Sequence, residues 1–160
     1  MKKSFYFSIL FTFILASCTH KKKEEAVLYN DAIVHEVSKA DSLIQLVFTF
    51  EMFDQYPLFK ESFLFTLQSA KQNLESTKPF QGDDSLRVSA IELVNTYSDI
   101  INVDYAGIYD IMKDSVYSIA DSIKVDSFMN MMNQKWETES KKISLIQKRF
   151  AERTEISLTK

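Results

Sequence analysis

Two glycines and two prolines in 160 residues leave little of what tight turns and phosphate-binding loops are made from. Turn-rich sandwiches and barrels, Rossmann units and P-loops all need glycine at positions of positive φ or close backbone approach, so these classes are excluded. One cysteine, Cys18, permits no internal disulfide. The two histidines, His20 and His35, cannot build the dimetal centre of a ferritin-like bundle, which draws its histidines from Glu-x-x-His pairs. His35 has Ala32 at the Glu position of that motif, and no metal or cofactor is expected. A basic excess is also lacking: the formal charge is −3, and more negative without Lys2 and Lys3, so no nucleic-acid partner is expected. What is present is 46% hydrophobic and 13% aromatic residues, with 26% charged, enough for one packed and mostly helical domain.

The amino terminus reads as an address. Lys2 and Lys3 precede an apolar run of 11 residues, Phe5 to Leu15, too short to cross a bilayer as a helix and suited to a secretory leader. The run ends in Leu15-Ala16-Ser17-Cys18, which looks like a bacterial lipobox. Small residues fit the lipoprotein signal peptidase, and the Cys18 thiol takes a diacylglyceryl group. Residues 1–17 are therefore expected as a lipoprotein signal peptide, 18–25 as the lipidated cysteine and a flexible tether, and 26–158 as the folded domain. No Asp follows Cys18, so the inner-membrane retention signal of enteric bacteria is missing. The charged run His20-Lys21-Lys22-Lys23-Glu24-Glu25 resembles surface-export signals of Bacteroidota lipoproteins, although it begins with three lysines where those are mostly acidic. A plain soluble spacer fits the same residues.

Beyond the tether the apolar residues repeat at helical spacing. Ile33, Val37, Ala40, Ile44 and Val47 mark a first helix over about 26 to 53; Phe59, Phe63, Leu67, Ala70 and Leu74 mark a second over about 57 to 77. Pro57 and the stretch from Thr77 to Asp83 punctuate them. A third helix begins at Asp83-Asp84-Ser85 and carries Leu86, Ala90, Leu93, Tyr97, Ile100, Ile108 and Ile111. A fourth carries Val125, Met129, Met132, Trp136, Ile143, Ile146 and Phe150. The turn between these two is placed within 113–126, where Asp121 or Asp126 suits the cap, because one helix from 84 to 155 would be about 100 Å long with an exposed stripe. Residues 83–126 hold nine carboxylates and three basic residues, and 135–153 hold six basic residues and three carboxylates, so these two helices suit each other as neighbours. The expected fold is all-α, an antiparallel four-helix bundle.

Several stretches in order, Tyr29-Asn30-Asp31-Ala32-Ile33-Val34, Pro79-Phe80-Gln81-Gly82-Asp83, Tyr97 and Phe150-Ala151-Glu152, resemble a family of small uncharacterised helical surface lipoproteins of leptospiral and Bacteroidota genomes. The similarity spans about residues 28–158. It implies a helical fold and outer-membrane or surface residence, and the family brings no established activity.

Few residues invite chemistry. Asp104 and Glu139 interrupt the apolar stripes of the third and fourth helices; facing each other they would form an acid and base pair, while a lysine, a tyrosine hydroxyl or solvent at the bundle edge accounts for each more simply. Asp31 and His35 share a helix face and read as a surface hydrogen-bonded pair. Met129, Met131 and Met132 beside Trp136 read as core filler, with Trp136 as a core anchor. The aromatics Phe48, Phe50, Phe53, Tyr56, Phe59, Phe63 and Phe65 exceed one helix face, so most are expected buried and the surplus exposed. No catalytic, cofactor-binding or metal residue is assigned, and the one modification site is lipidation at Cys18. The expectation is a non-enzymatic, monomeric, lipid-anchored protein of the cell envelope, an interaction or structural module touching the membrane through its anchor and binding a protein partner that the sequence does not identify. The competing class is a small-ligand carrier or enzyme with a pocket between helices, for which Asp104, Glu139 and Tyr97 are the first candidates.

Overall fold

The computed structural model describes residues 3–158 except 52 and 114–117, with side chains from residue 21 onward; the expectations for residues 1 and 2 lie outside the described residues, and the lipidation of Cys18 falls where no side chain is described. Helix α1 spans Lys3–Thr49, α2 Tyr56–Ser76, α3 Ser85–Asp99, α4 Ala106–Met112 and α5 Ile119–Thr154. A π-helical stretch, Ile100–Tyr105, joins α3 to α4 without a break, so the three form one rod. With α1, α2 and α5 it makes an all-α four-helix bundle, and no strand longer than a single bridge occurs among the described residues.

Neighbours in sequence are antiparallel, and contacts set the register. Arg87 at the start of α3 donates to the Glu75 carbonyl at the end of α2 (3.2 Å). Along α3 and α5, ion pairs join Asp83 to Arg153, Glu92 to Lys142 (2.6 Å) and Asp99 to Lys135 (2.5 Å). The acidic and basic runs thus lie side by side as their charges require. α1 packs on α2 and α3 and touches α5 more sparsely, which leaves a cleft along the α1 to α5 seam.

The core stripes of the first three helices fall where helical spacing puts them: Ile33, Ala40, Ile44 and Val47 are buried, as are Phe59, Phe63, Leu67, Ala70 and Leu74, and Leu86, Ala90, Leu93, Tyr97, Ile100 and Ile108, while Val37 and Ile111 are half-buried. The first buried side chain among the described residues is Ala26. Residues 21–25, expected as a flexible tether, instead continue α1 as exposed helix, with Lys23 paired to Glu155 (2.7 Å). Polar, periodicity-free residues can extend a helix already nucleated by a packed segment, since each added residue gains a backbone bond without a new nucleus.

α1 ends four residues before the expected 53, at a left-handed Phe50 (φ 55°). That conformation is costly for a bulky residue. Its ring is held against Tyr105 (5.2 Å between centroids) and Phe53 (6.1 Å) in a cluster with Tyr56, Phe59 and Tyr109 that closes this end of the bundle. Pro57 stands in the first turn of α2, where its missing N–H costs nothing. At the opposite end, Gln81 (φ 51°) and Gly82 (φ 83°) make a tight reversal bracketed by reciprocal bonds between Phe80 and Asp83. Phe80 lies on Tyr29 (5.7 Å) and Phe150 (5.5 Å), which fastens the loop across α1 and α5.

The turn expected within 113–126 is shorter. α4 ends at Met112 and Ser118 caps α5, its hydroxyl accepting from the Asp121 N–H (3.2 Å) while Asp121 accepts from the Ser118 N–H (3.2 Å). Asp121 is thus the returning member of a capping box rather than the cap itself. Gly107 lets α4 approach α5, because a Cβ there would fall inside 3.0 Å of the Phe128 ring.

Candidate functional site

Two polar clusters interrupt the apolar interior. The first is built on the π-helical stretch. One extra residue in that turn brings two adjacent pairs inward, Ile100 with Ile101 and Asp104 with Tyr105. The widened turn presents the Ile101 carbonyl to the Tyr56 hydroxyl, which donates to it (3.1 Å). Burial pushes the Tyr56 phenol up to about 12. Asp104, 1% exposed, takes Lys135 of α5 on Oδ2 (2.7 Å), and its Oδ1 is buried without a hydrogen bond. Lys135 also reaches Asp99; burial opposes its charge, but the bonds to the two carboxylates outweigh that and hold its pKa above the usual lysine value.

The second cluster lies on the α1 to α5 seam. Tyr97 of α3 is fully buried and donates to Asp41 Oδ1 of α1 (2.5 Å). Burial raises the Tyr97 pKa well above the usual phenol value, with the Asp41 carboxylate adding to it, while the nearby Ser140 and Trp136 side chains of α5 act in the opposite sense. Burial likewise raises the Asp41 carboxyl above the usual range, against the lowering effect of the Tyr97 bond. Beside this cluster runs a cleft of about 270 Å³, floored by Leu86 and Leu93 and walled by Val34, Val37 and Ile143. Gln147 donates to Asn30 Oδ1 (3.0 Å) further along the same seam.

Of the residues singled out in the sequence, Asp104 is inward, as its place in the stripe requires. Asp104 and Glu139 do not face each other as an acid and base pair. Lys135 stands at Asp104, and Glu139, one helical turn on, pairs with Lys142 (3.5 Å). Tyr97 belongs to the other cluster. Asp31 accepts from Asn30 (3.2 Å) and His35 is exposed. Met132 is core, whereas Met129 and Met131 are exposed.

Trp136 is a correction: it is 38% exposed, lies against Phe48 (5.8 Å between centroids) and is no core anchor. The inward line of α5 runs Val125, Phe128, Met132, Lys135, Glu139, Ile143, Ile146 and Phe150. Two of those positions are charged, and reading only apolar residues shifts the stripe by one residue onto Trp136. Asp41, Lys135 and Ser140 were missed. Asp41 continues Val37 and leads to Ile44 at spacings of four and three, which is the signal that places it against the core.

Among the described residues no three His, Cys, Asp or Glu side chains gather as a metal site, and no helix is long and apolar enough to cross a membrane. Compared with known protein families, curated proteins and solved structures, the chain matches none.

Proposed function

We propose that this chain is a lipid-anchored bacterial envelope protein, of the outer-membrane or surface kind that its sequence resembles, whose bundle serves as a non-enzymatic interaction or structural module. The observation that carries the reading is Leu15-Ala16-Ser17-Cys18 directly after an apolar run of leader length, with the chain's one cysteine at the lipobox position. Two features support it. Among the described residues the first buried side chain is Ala26, so the proposed anchor is separated from it by a short polar segment. The exposed apolar side chains Leu58, Ile119 and Ile123 stand toward the end of the bundle remote from that segment, and Phe65 lies on the outer face of α2 at 76% exposure. With α5 about 50 Å long at 1.5 Å per residue, these groups would be held well clear of the bilayer.

The test is incorporation of labelled palmitate with membrane fractionation. The wild-type chain is expected to take up label and sediment with membranes, and Cys18→Ser to do neither. Equal labelling of the two proteins rejects the anchor. The α1 to α5 cleft, lined by Asp41 among apolar side chains, favours the carrier alternative.

A further inference from the structure

We propose that the cleft between α1 and α5 binds a small primary amine with a short apolar body, its ammonium on Asp41. The inference goes beyond the anchoring reading and does not rest on it.

The cleft has apolar walls and one charged group. Val34, Val37 and Ile143, each half-buried, offer a surface for a hydrocarbon or aryl stem over the buried Leu86 and Leu93, and at about 270 Å³ the space lies just below the range of roughly 300–1,000 Å³ that drug-sized ligands occupy. The ligand is therefore small. Asp41 is half-buried in the lining and makes no ion pair among the described residues. Neighbouring cations are committed elsewhere: Lys39 to Glu36 (3.0 Å), Lys141 to Glu137 (2.6 Å), and Lys142 to Glu92 (2.6 Å) and Glu139 (3.5 Å). A carboxylate partly stripped of water and without a counter-charge gains from an incoming cation.

The type of cation follows from the acceptors. A divalent metal needs several oxygen ligands, and Asp41 is the one carboxylate in the lining. A guanidinium binds best by a two-pronged contact with both carboxylate oxygens, but Oδ1 already accepts from Tyr97. An ammonium needs one carboxylate oxygen and can give its remaining N–H groups to hydroxyls, which Ser38, Ser140 and Ser144 supply in the same lining. Trp136, the only tryptophan, stands beside Tyr97 and so adjoins the proposed site.

The experiment titrates the full chain at pH 7 with phenethylamine and, separately, with phenethyl alcohol, which has the same apolar body without the charge. Trp136 emission and titration calorimetry are both followed. The amine is expected to bind saturably and about tenfold more tightly than the alcohol, the increment of one charge-assisted bond. Asp41→Asn, with folding checked by circular dichroism, is expected to abolish that preference, and Cys18→Ser to retain it, which separates this inference from the anchor. Absence of saturable binding by either readout up to about 10 mM amine overturns the proposal. So does equal affinity for amine and alcohol, or a preference that survives in Asp41→Asn. The comparison of amine with alcohol uses the wild-type protein and decides the matter even if the variant fails to fold.

Discussion

Asp104 shows how far a single position can be read from its neighbours. Its place in the stripe of the third helix marked it as inward, and a lysine was one of the partners expected for it. Which lysine was not legible, because a lysine in a helix ordinarily keeps its ammonium in water and carries no periodic signal. Lys135 turns inward because a buried carboxylate awaits it. Removing the cation leaves that carboxylate uncompensated, a change that costs about 3–5 kcal/mol for wholly buried pairs. Lys135 is 32% exposed, so Lys135→Met is expected at the lower end, about 3 kcal/mol by urea unfolding. The double variant with Asp104→Leu should recover most of that loss, since replacing both partners removes the buried charge as well. A loss in the double variant as large as in the single one would mean that packing, not charge, is at stake.

Asp41 makes a different statement, about pH. Its folded carboxyl titrates above the ordinary value of 3.8. Between those two values the folded protein holds more protons than the unfolded one, so the Asp41 contribution to stability falls as pH rises through that window and stays unfavourable above it. On α3 and α5, Tyr97 is the titratable group acting on it, and it stays protonated throughout. Asp41→Asn should therefore melt above wild type at pH 7, with the gap shrinking as pH is lowered toward 4. Asp83, Asp84, Asp121, Glu137 and Glu155 shift in the opposite sense, but they are present in both proteins and cancel in the comparison. A gap that widens toward acid pH would reverse the sign argued here.

At the scale of elements, helices were legible where apolar spacing was unbroken and misplaced where it was not. The stripes of α1 and α2 needed no correction, while α5 was read one residue out of register because Lys135 and Glu139 occupy its inward line. The π-helical stretch left no trace in spacing, since the doublets Ile100-Ile101 and Asp104-Tyr105 each include a residue that fits regular α-periodicity. The rotated register of α5 changes what Trp136 does. Its ring covers Phe48 and the edge of the Tyr97 cluster, so it contributes one aromatic contact and some apolar area rather than a filled core site. Trp136→Ala is expected to cost about 1–2 kcal/mol, well under the ~3–5 kcal/mol of a wholly buried aromatic. Equilibrium denaturation distinguishes the two, and a loss of the larger size would return Trp136 to the core.

Across the whole molecule, scarcity of glycine and proline made the topology readable, because the few breaks left between apolar stripes are the turns. Charge then chose neighbours: the acidic third rod and basic α5 meet through Asp83, Glu92, Asp99 and Asp104. The α1 to α5 cleft was not legible, since a gap depends on how far apart two helices settle and no single residue records that distance. The proposed division between address and folded body can be tested as a property of the molecule. Side chains 21–25 are exposed, and the ion pair between Lys23 and Glu155 is what ties them to the bundle among the described residues. Exposed pairs of this sort are worth about 0–1 kcal/mol. A chain beginning at Glu25 should then keep the far-ultraviolet spectrum of the bundle and unfold within about 1 kcal/mol of the chain beginning at Cys18, because every apolar side chain from Ala26 onward retains its partners. A larger loss would mean that the charged segment stabilises the bundle, and the boundary between tether and domain would have to move toward the amino terminus.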